Sequence, residues 1–194
     1  MEAPRPSADP PTAPAGLTYR ADFISPAEEA RLLADVRRVT FSEVRFHGYK
    51  ANRTVAHFGI DYAYDSREIQ HTGPLPDWLL WLRDRCADLG HVDPASLVEA
   101  LITRYPPGST IGWHRDAPAF GGVVVGVSLG APCRMRLRRT TGGVAQSYAL
   151  ELAQRSAYVL AGAARWSWQH SIPAVPALRH SITFRSLRST TAGR

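Results

Sequence analysis

His114-Arg115-Asp116 is the tripeptide of this 194-residue chain whose residue types and spacing could do metal chemistry. It closes the stretch 101–116, LITRYPPGSTIGWHRD, which reads as an alternating strand, breaks at Pro106-Pro107-Gly108 and resumes as a short strand. Successive side chains of a strand point to opposite faces, so His114 and Asp116 share one face and Arg115 takes the other. One neutral imidazole and one carboxylate on a common face give two legs of a 2-His-1-carboxylate facial triad. That arrangement leaves positions on Fe(II) open for substrate and oxygen. Alone the tripeptide is weak, because an exposed His and Asp at a strand end would read the same way.

A facial triad needs a second histidine, distant in sequence and near in space. His47, His57, His71 and His91 precede the downstream series of strands, and His180 falls on the reverse face of a later strand. His170 remains, closing the run Arg165-Trp166-Ser167-Trp168-Gln169-His170. Further on, Arg179 and Arg185 are six apart, so a strand puts both on one face with Ser181 and Thr183 between them. His180, Ile182 and Phe184 take the other face. Burying two guanidinium groups is costly unless an anion pairs with them. A dicarboxylate, with a charge at each end, suits bidentate arginine pairing. Two solvent-facing arginines on an outer strand are the plain alternative.

The elements that must position these groups follow from pattern. Residues 1–16 are rich in proline and lack periodicity, which predicts a disordered tail ahead of one domain over 17–194. Ser25-Pro26-Ala27-Glu28 opens a helix through a capping box, with Leu32, Leu33 and Val36 as its apolar stripe and an end near Val39. A second helix is expected over 77–89, with Trp78, Leu79, Leu82 and Cys86 as core and Gly90 as its stop. Strands are expected near 97–105, 111–116, 123–129, 133–137, 147–152, 156–160, 166–170 and 179–187. Short strands at this spacing, preceded by helices, predict a mainly β (α+β) fold: a jelly roll or barrel braced at its N-terminal side.

Between the helices, residues 40–64 turn strand-like, aromatic and basic, which suits either base stacking with phosphate contact or a β-hairpin using rings for their strand preference. The net charge is +6 and Lys50 is the only lysine, so the positive charge is almost all arginine. Arginine forks match phosphate oxygens, although a GC-rich genome also writes Arg for Lys. Arg134, Arg136 and Arg138 alternate along one strand opposite Met135 and Leu137, as a phosphate-tracking stripe or a solvated face. Cys86 and Cys133 form no C-x-x-C pair, which argues against a zinc knuckle or a disulfide framework. No apolar run approaches the roughly 20 residues of a membrane span, and no signal-peptide h-region is evident. We therefore expect a cytoplasmic monomer with no membrane partner.

In order and spacing these pieces resemble the AlkB family of Fe(II)/2-oxoglutarate dioxygenases over roughly 40–188. The resemblance rests on Tyr105, nine before His114, on His114-Arg115-Asp116, on Val127-Ser128-Leu129-Gly130, on His170-Ser171-Ile172 and on Arg179 with Arg185. Arg53-Thr54-Val55, His57-Phe58-Gly59 and Tyr62-Ala63-Tyr64 are similar to the family's nucleotide-recognition lid, placed at about 40–65. The resemblance implies a double-stranded β-helix over about 97–188, Fe(II) on His114, Asp116 and His170, and O2 and 2-oxoglutarate as cosubstrates. Arg179 would hold the distal carboxylate with help from Tyr105, and Arg185 would lie near the metal-chelating end. Thr103 stands where the family often has asparagine, and a hydroxyl offers fewer hydrogen bonds than an amide. Arg53, Phe58, Tyr62 and Tyr64 would bind substrate, with His114 and Lys50 as further contacts. The implied reaction is oxidative dealkylation of N-alkylated bases in DNA or RNA, the base being extruded from its stack. Alternatives are a tRNA wobble-uridine hydroxylase of the same family, a family member acting on protein, and a non-catalytic nucleic-acid-binding module.

Overall fold

Two antiparallel sheets face each other, and helices cover the outer side of the larger one. The computed structural model describes residues 12–46, 49–63 and 68–188. In chain order the elements are β1 (Leu17–Arg20), α1 (Pro26–Val36), β2 (Ser42–Phe46), β3 (Tyr49–Ala63), β4 (Glu68–Gly73), α2 (Asp77–Gly90) and a 3-10 turn (Pro94–Ser96). There follow β5 (Leu97–Tyr105), β6 (Ile111–His114), β7 (Phe120–Gly130), β8 (Cys133–Thr141), β9 (Val144–Leu152), β10 (Ala157–Leu160), α3 (Gly162–Trp166), β11 (Gln169–Ile172) and β12 (Arg179–Leu187). The larger sheet runs β1-β10-β7-β12-β5-β3-β2 with β4 on β3, and the smaller runs β6-β11-β8-β9. This is a jelly roll of the double-stranded β-helix type.

Strand alternation sorts the core into two layers. One cluster joins Ile24, Leu32 and Val36 near α1 and Leu79, Leu82 and Cys86 of α2 to Ala100, Ile102, Val127, Ile182 and Phe184 of the larger sheet. The other lies between the sheets and joins Tyr105, Val124 and Leu160 to Cys133, Met135, Leu137, Leu152 and Ile172. Helix α1 begins as its sequence dictates. Ser25 Oγ accepts from the Glu28 amide at 3.2 Å, and the Glu28 carboxylate accepts from the Ser25 amide at 2.7 Å. Such a cap is worth about 1 kcal/mol.

Several expectations shift. Pro14 is buried, and the Ala15 and Gly16 carbonyls accept from Ala164 and Ala161, so the expected tail is docked before Gly16. Residues 1–11 lie outside the described residues. Helix α1 stops at Val36 rather than Val39. Gly90 is the last residue of α2, and His91 takes the left-handed position at φ 52°. The reason is packing: a Cβ on Gly90 would lie 3.0 Å from Val123 Cγ1. The strand expected at 166–170 begins later, at Gln169, because Gly162–Trp166 closes a helical turn with Ser167 N donating to Ala163 O. β4 escapes the alternation test, since Glu68–Gly73 is mostly polar and earns its order by pairing with β3. Gly59, at φ +82°, sits at the register shift of that pairing, where a Cβ would lie 1.9 Å from Val98 O.

Candidate active site

The larger sheet presents its residues to the interior in rows. Arg179 pairs with Tyr105, Ser181 with Thr103, Thr183 with Leu101 and Arg185 with Glu99 across β12 and β5. On the other side Ser181 faces Ser128 and Thr183 faces Gly126 of β7. Gly126 is needed there, since a Cβ would lie 2.4 Å from the Tyr158 ring. These rows form the floor of a cavity of about 1170 Å³ between the sheets. In the smaller sheet His114 of β6 and His170 of β11 are direct cross-strand partners. That pairing brings together two imidazoles far apart in sequence, with ring centroids 4.2 Å apart.

Asp116 lies beyond the end of β6, so strand alternation alone does not aim it. It is held by charge. Arg185 Nε and Nη2 donate to its Oδ1 at 2.8 and 2.6 Å. Its Oδ2 lies 3.8 Å from His170 Nε2. The backbone around it is held by buried Arg165, which donates to the carbonyls of Asp116, Ala117, Phe120 and Gly121 at 2.9–3.3 Å. Burial by itself would raise the Asp116 pKa, but Arg185, His170 and His114 hold the carboxyl well below its usual range. Burial pushes the His170 imidazole down to about 4, against the upward pull of Asp116. His114 Nδ1 lies 2.9 Å from the Gly112 carbonyl, which can only accept. Nδ1 must therefore carry a proton, which leaves Nε2 as the ring nitrogen able to face a metal.

At the other end of the row, Arg179 is 1% exposed. Nη2 donates to Ser128 Oγ at 3.2 Å, and the guanidinium lies 4.7 Å from the Tyr105 ring centroid. Nε and Nη1 are buried without a hydrogen-bond partner. Arg185 lies beside Asp116, at the end expected to hold the metal. Its charge is met by Asp116 and by Glu99, whose Oε2 accepts from Nη1 at 2.8 Å, so it needs no ligand anion.

The structure thus brings His114, Asp116 and His170 together and puts Thr103, Tyr105, Arg179 and Arg185 around the same cavity. Arg53 and Phe58 of β3 also line it. Arg53 donates to the Thr110 carbonyl at 3.3 Å, and Phe58 packs edge-on against Trp78. The segment expected as a β-hairpin lid is continuous with the larger sheet, because β3 pairs with β5 as well as β2. Tyr64 and the side chains of Tyr62 and Lys50 lie outside the described residues. Sequence reading missed Glu99, His57 and Arg165. His57 Nδ1 lies 3.4 Å from Glu99 Oε1, behind Arg185. Glu99 was readable: it shares a strand face with Leu97, Leu101, Thr103 and Tyr105 and is the one charged residue on it.

A carboxylate oxygen and two imidazoles at one end, and two orphaned guanidinium donors at the other, are a donor set for an octahedral dication and a dicarboxylate. Among the described residues no three or more His, Cys, Asp or Glu side chains are arranged to hold a metal ion as they stand. The 3.8 Å between His170 Nε2 and Asp116 Oδ2 exceeds the about 3.0–3.4 Å between donors on one ion by about 0.4–0.8 Å, so the side chains would close in on an ion they hold. In donor chemistry the residues fit.

The chain belongs to the 2OG-Fe(II) oxygenase superfamily, whose family model matches residues 16–188. Membership implies Fe(II), 2-oxoglutarate and O2 as the cofactor set. Within the superfamily the likeness is to AlkB-type oxygenases. The chain is 31% identical over 169 residues to the tRNA (carboxymethyluridine(34)-5-O)-methyltransferase alkbh8 of Xenopus tropicalis, covering 84% of this chain and 26% of that protein. It is 30% identical over 181 residues to the alkylated DNA repair protein ALKBH8 homolog of Arabidopsis thaliana, covering 81% of this chain and 51% of that protein. The chain therefore spans about a quarter to a half of these relatives. Among solved structures, OsALKBH1 superposes with a TM-score of 0.72 at 14% identity, covering 90% of this chain and 98% of that one. A Pseudomonas putida prolyl-4-hydroxylase superposes at 0.62 with 15% identity, covering 89% of this chain and 93% of that one. These two likenesses speak to the fold.

Proposed function

We propose that this protein oxidatively dealkylates N-alkylated nucleobases in nucleic acid. The observation that carries the reading is Arg179: a buried cation with two unpartnered donors at one end of a cavity whose other end holds His114, Asp116 and His170. In this reading the three side chains hold Fe(II), and Arg179, braced by Ser128 and Tyr105, holds the distal carboxylate of 2-oxoglutarate. Bound Fe(II), with O2 and 2-oxoglutarate, supplies hydroxylation of a C–H bond and yields succinate and CO2. A methyl group on a ring nitrogen becomes hydroxymethyl, which leaves as formaldehyde, with a proton where the alkylated base was cationic, and returns the unmodified base.

The chain's own part is positioning. Arg185 fixes the Asp116 carboxylate and keeps it ionised. The Gly112 carbonyl fixes the His114 tautomer. Buried His170 stays neutral near pH 7, as a ligand must. Arg53 and Phe58 supply cation and ring to the substrate side of the cavity. Both cysteines are buried free thiols, which supports a reducing compartment such as the cytoplasm.

Incubation with Fe(II), 2-oxoglutarate and an oligonucleotide carrying one 1-methyladenine or 3-methylcytosine tests the proposal. We expect succinate and the unmodified base in equal amounts. Absence of both across DNA and RNA strands would sink it. A second reading is favoured by the relatives, of which the Xenopus protein is a tRNA (carboxymethyluridine(34)-5-O)-methyltransferase. There the same site would hydroxylate a side chain on a wobble uridine. Mass spectrometry of treated tRNA separates the two, since hydroxylation adds an oxygen to the base and dealkylation removes a carbon.

A further inference from the structure

The outer face of the smaller sheet carries a feature that the cavity chemistry leaves unused. Strand β8 alternates between buried and exposed, so Cys133, Met135 and Leu137 point inward and Arg134, Arg136 and Arg138 point out. Two of these arginines are stacked on a ring. The guanidinium carbons of Arg136 and Arg138 lie 5.1 and 4.3 Å from the centroid of Trp113. Each spends its Nε on a neutral acceptor, Ser171 Oγ at 3.2 Å and Gln169 Oε1 at 3.0 Å. Neither is in a salt bridge among the described residues. Glu151, opposite Arg134 on β9, is the one carboxylate at the outward positions of this sheet.

The run continues past the cavity. Trp113, His114 and Arg115 all line it. Exposed Arg115 donates to the Trp166 carbonyl at 3.3 Å. Trp166 is 40% exposed and has Arg188 over its ring at 5.7 Å. Cations and indole rings thus alternate from β8 across the mouth of the cavity to its far side.

We infer that this face is a track for a single-stranded polynucleotide, which it leads across the cavity mouth. The inference rests on the proposed nucleic-acid substrate and assigns the surface that holds it. Guanidinium groups without carboxylate partners match phosphates spaced along a strand. Stacking on Trp113 fixes two of them in advance, so less rotamer entropy is lost on binding. A half-exposed indole offers a face to an unpaired base, whereas a duplex keeps its bases stacked inside. The Trp113-to-Arg115 segment also lines the cavity and turns His114 to its inner side, so a strand on this track reaches the cavity rim next to the candidate metal ligands.

The test is a fluorescence-anisotropy titration of the full chain with labelled 12-nucleotide single strands, RNA and DNA, and a matching duplex, at several salt concentrations. The variants are the triple change Arg134→Gln, Arg136→Gln, Arg138→Gln and the same three changed to Lys. The parent should bind a single strand more tightly than the duplex. The Gln triple should lose at least tenfold in affinity at low salt, and its log–log salt slope should shrink by about 2, at about 0.7 per lost phosphate contact. The Lys triple should recover most of the slope, which separates lost charge from a damaged fold, and melting curves check the latter. RNA and DNA arms show which sugar the track accepts. Equal slopes for parent and Gln triple, or tighter duplex binding, would overturn the inference. Base demethylation with an unchanged slope would overturn the track and leave the proposed function standing. A normal slope without any 2-oxoglutarate turnover would do the reverse.

Discussion

Arg179 and Arg185 sit six residues apart on one face of β12, both buried, yet their surroundings are opposite. Arg185 is saturated by two protein carboxylates, Asp116 and Glu99. Arg179 has a hydroxyl, an aromatic ring and two donors with no acceptor. A fold does not leave a guanidinium's N–H groups unpaired without cause, since each costs about 1–3 kcal/mol. One end of the strand is therefore finished by the protein, and the other is completed by what binds there.

That comparison breaks most easily at Arg185. Arg185→Met would strand Asp116 and Glu99 without their cation, and we expect a loss of about 3–5 kcal/mol in urea unfolding. The melting temperature should fall on the order of 10 °C for a domain of this size. A loss below about 1 kcal/mol would mean that the pairing is not structural. Arg179→Met should do the converse. Stability without ligand should hold or rise slightly, because unsatisfied donors are removed. The KM for 2-oxoglutarate in uncoupled turnover should rise about 30–150-fold, the equivalent of about 2–3 kcal/mol for a charged hydrogen-bonded pair. Ser128→Ala removes one neutral partner of Arg179, so a roughly fivefold rise in the same KM is expected, about 1 kcal/mol. Unfolding of that variant should show a loss of about 1–3 kcal/mol, because Nη2 of Arg179 loses its acceptor.

The alternation of β12 was legible because its residues swap character at every step. The same rule gave β5 and β8 their inward sides. Two features lay beyond it. Asp116 is placed by Arg185, 69 residues away, and by the carbonyl grip of Arg165, neither of which leaves a trace in local periodicity. The meeting of His114 and His170 depends on β6 pairing with β11, a register that the sequence implies only through the family resemblance. Short polar strands such as β4 carry no apolar signal at all, since neighbours rather than burial order them.

The smallest expected effect sharpens the contrast from the reverse face of the strand. Half-buried His180 has its pKa pushed down to about 4 by burial, then by the charges of Arg104, Arg179 and Arg37. Its ordinary value is 6.5, so in the unfolded chain it takes up a proton at higher pH than in the folded one. Its neutral form serves the fold above about 6.5, and stability falls as pH drops from there to about 4. His180→Gln should flatten that part of the stability profile. Arg185 is not among the charges that depress His180, whereas Arg179 is. In NMR titrations, Arg179→Met should therefore raise the His180 pKa, and Arg185→Met should leave it in place. Equal shifts in the two variants would mean that the ends of β12 are electrostatically alike and that the asymmetry lies in hydrogen bonding alone.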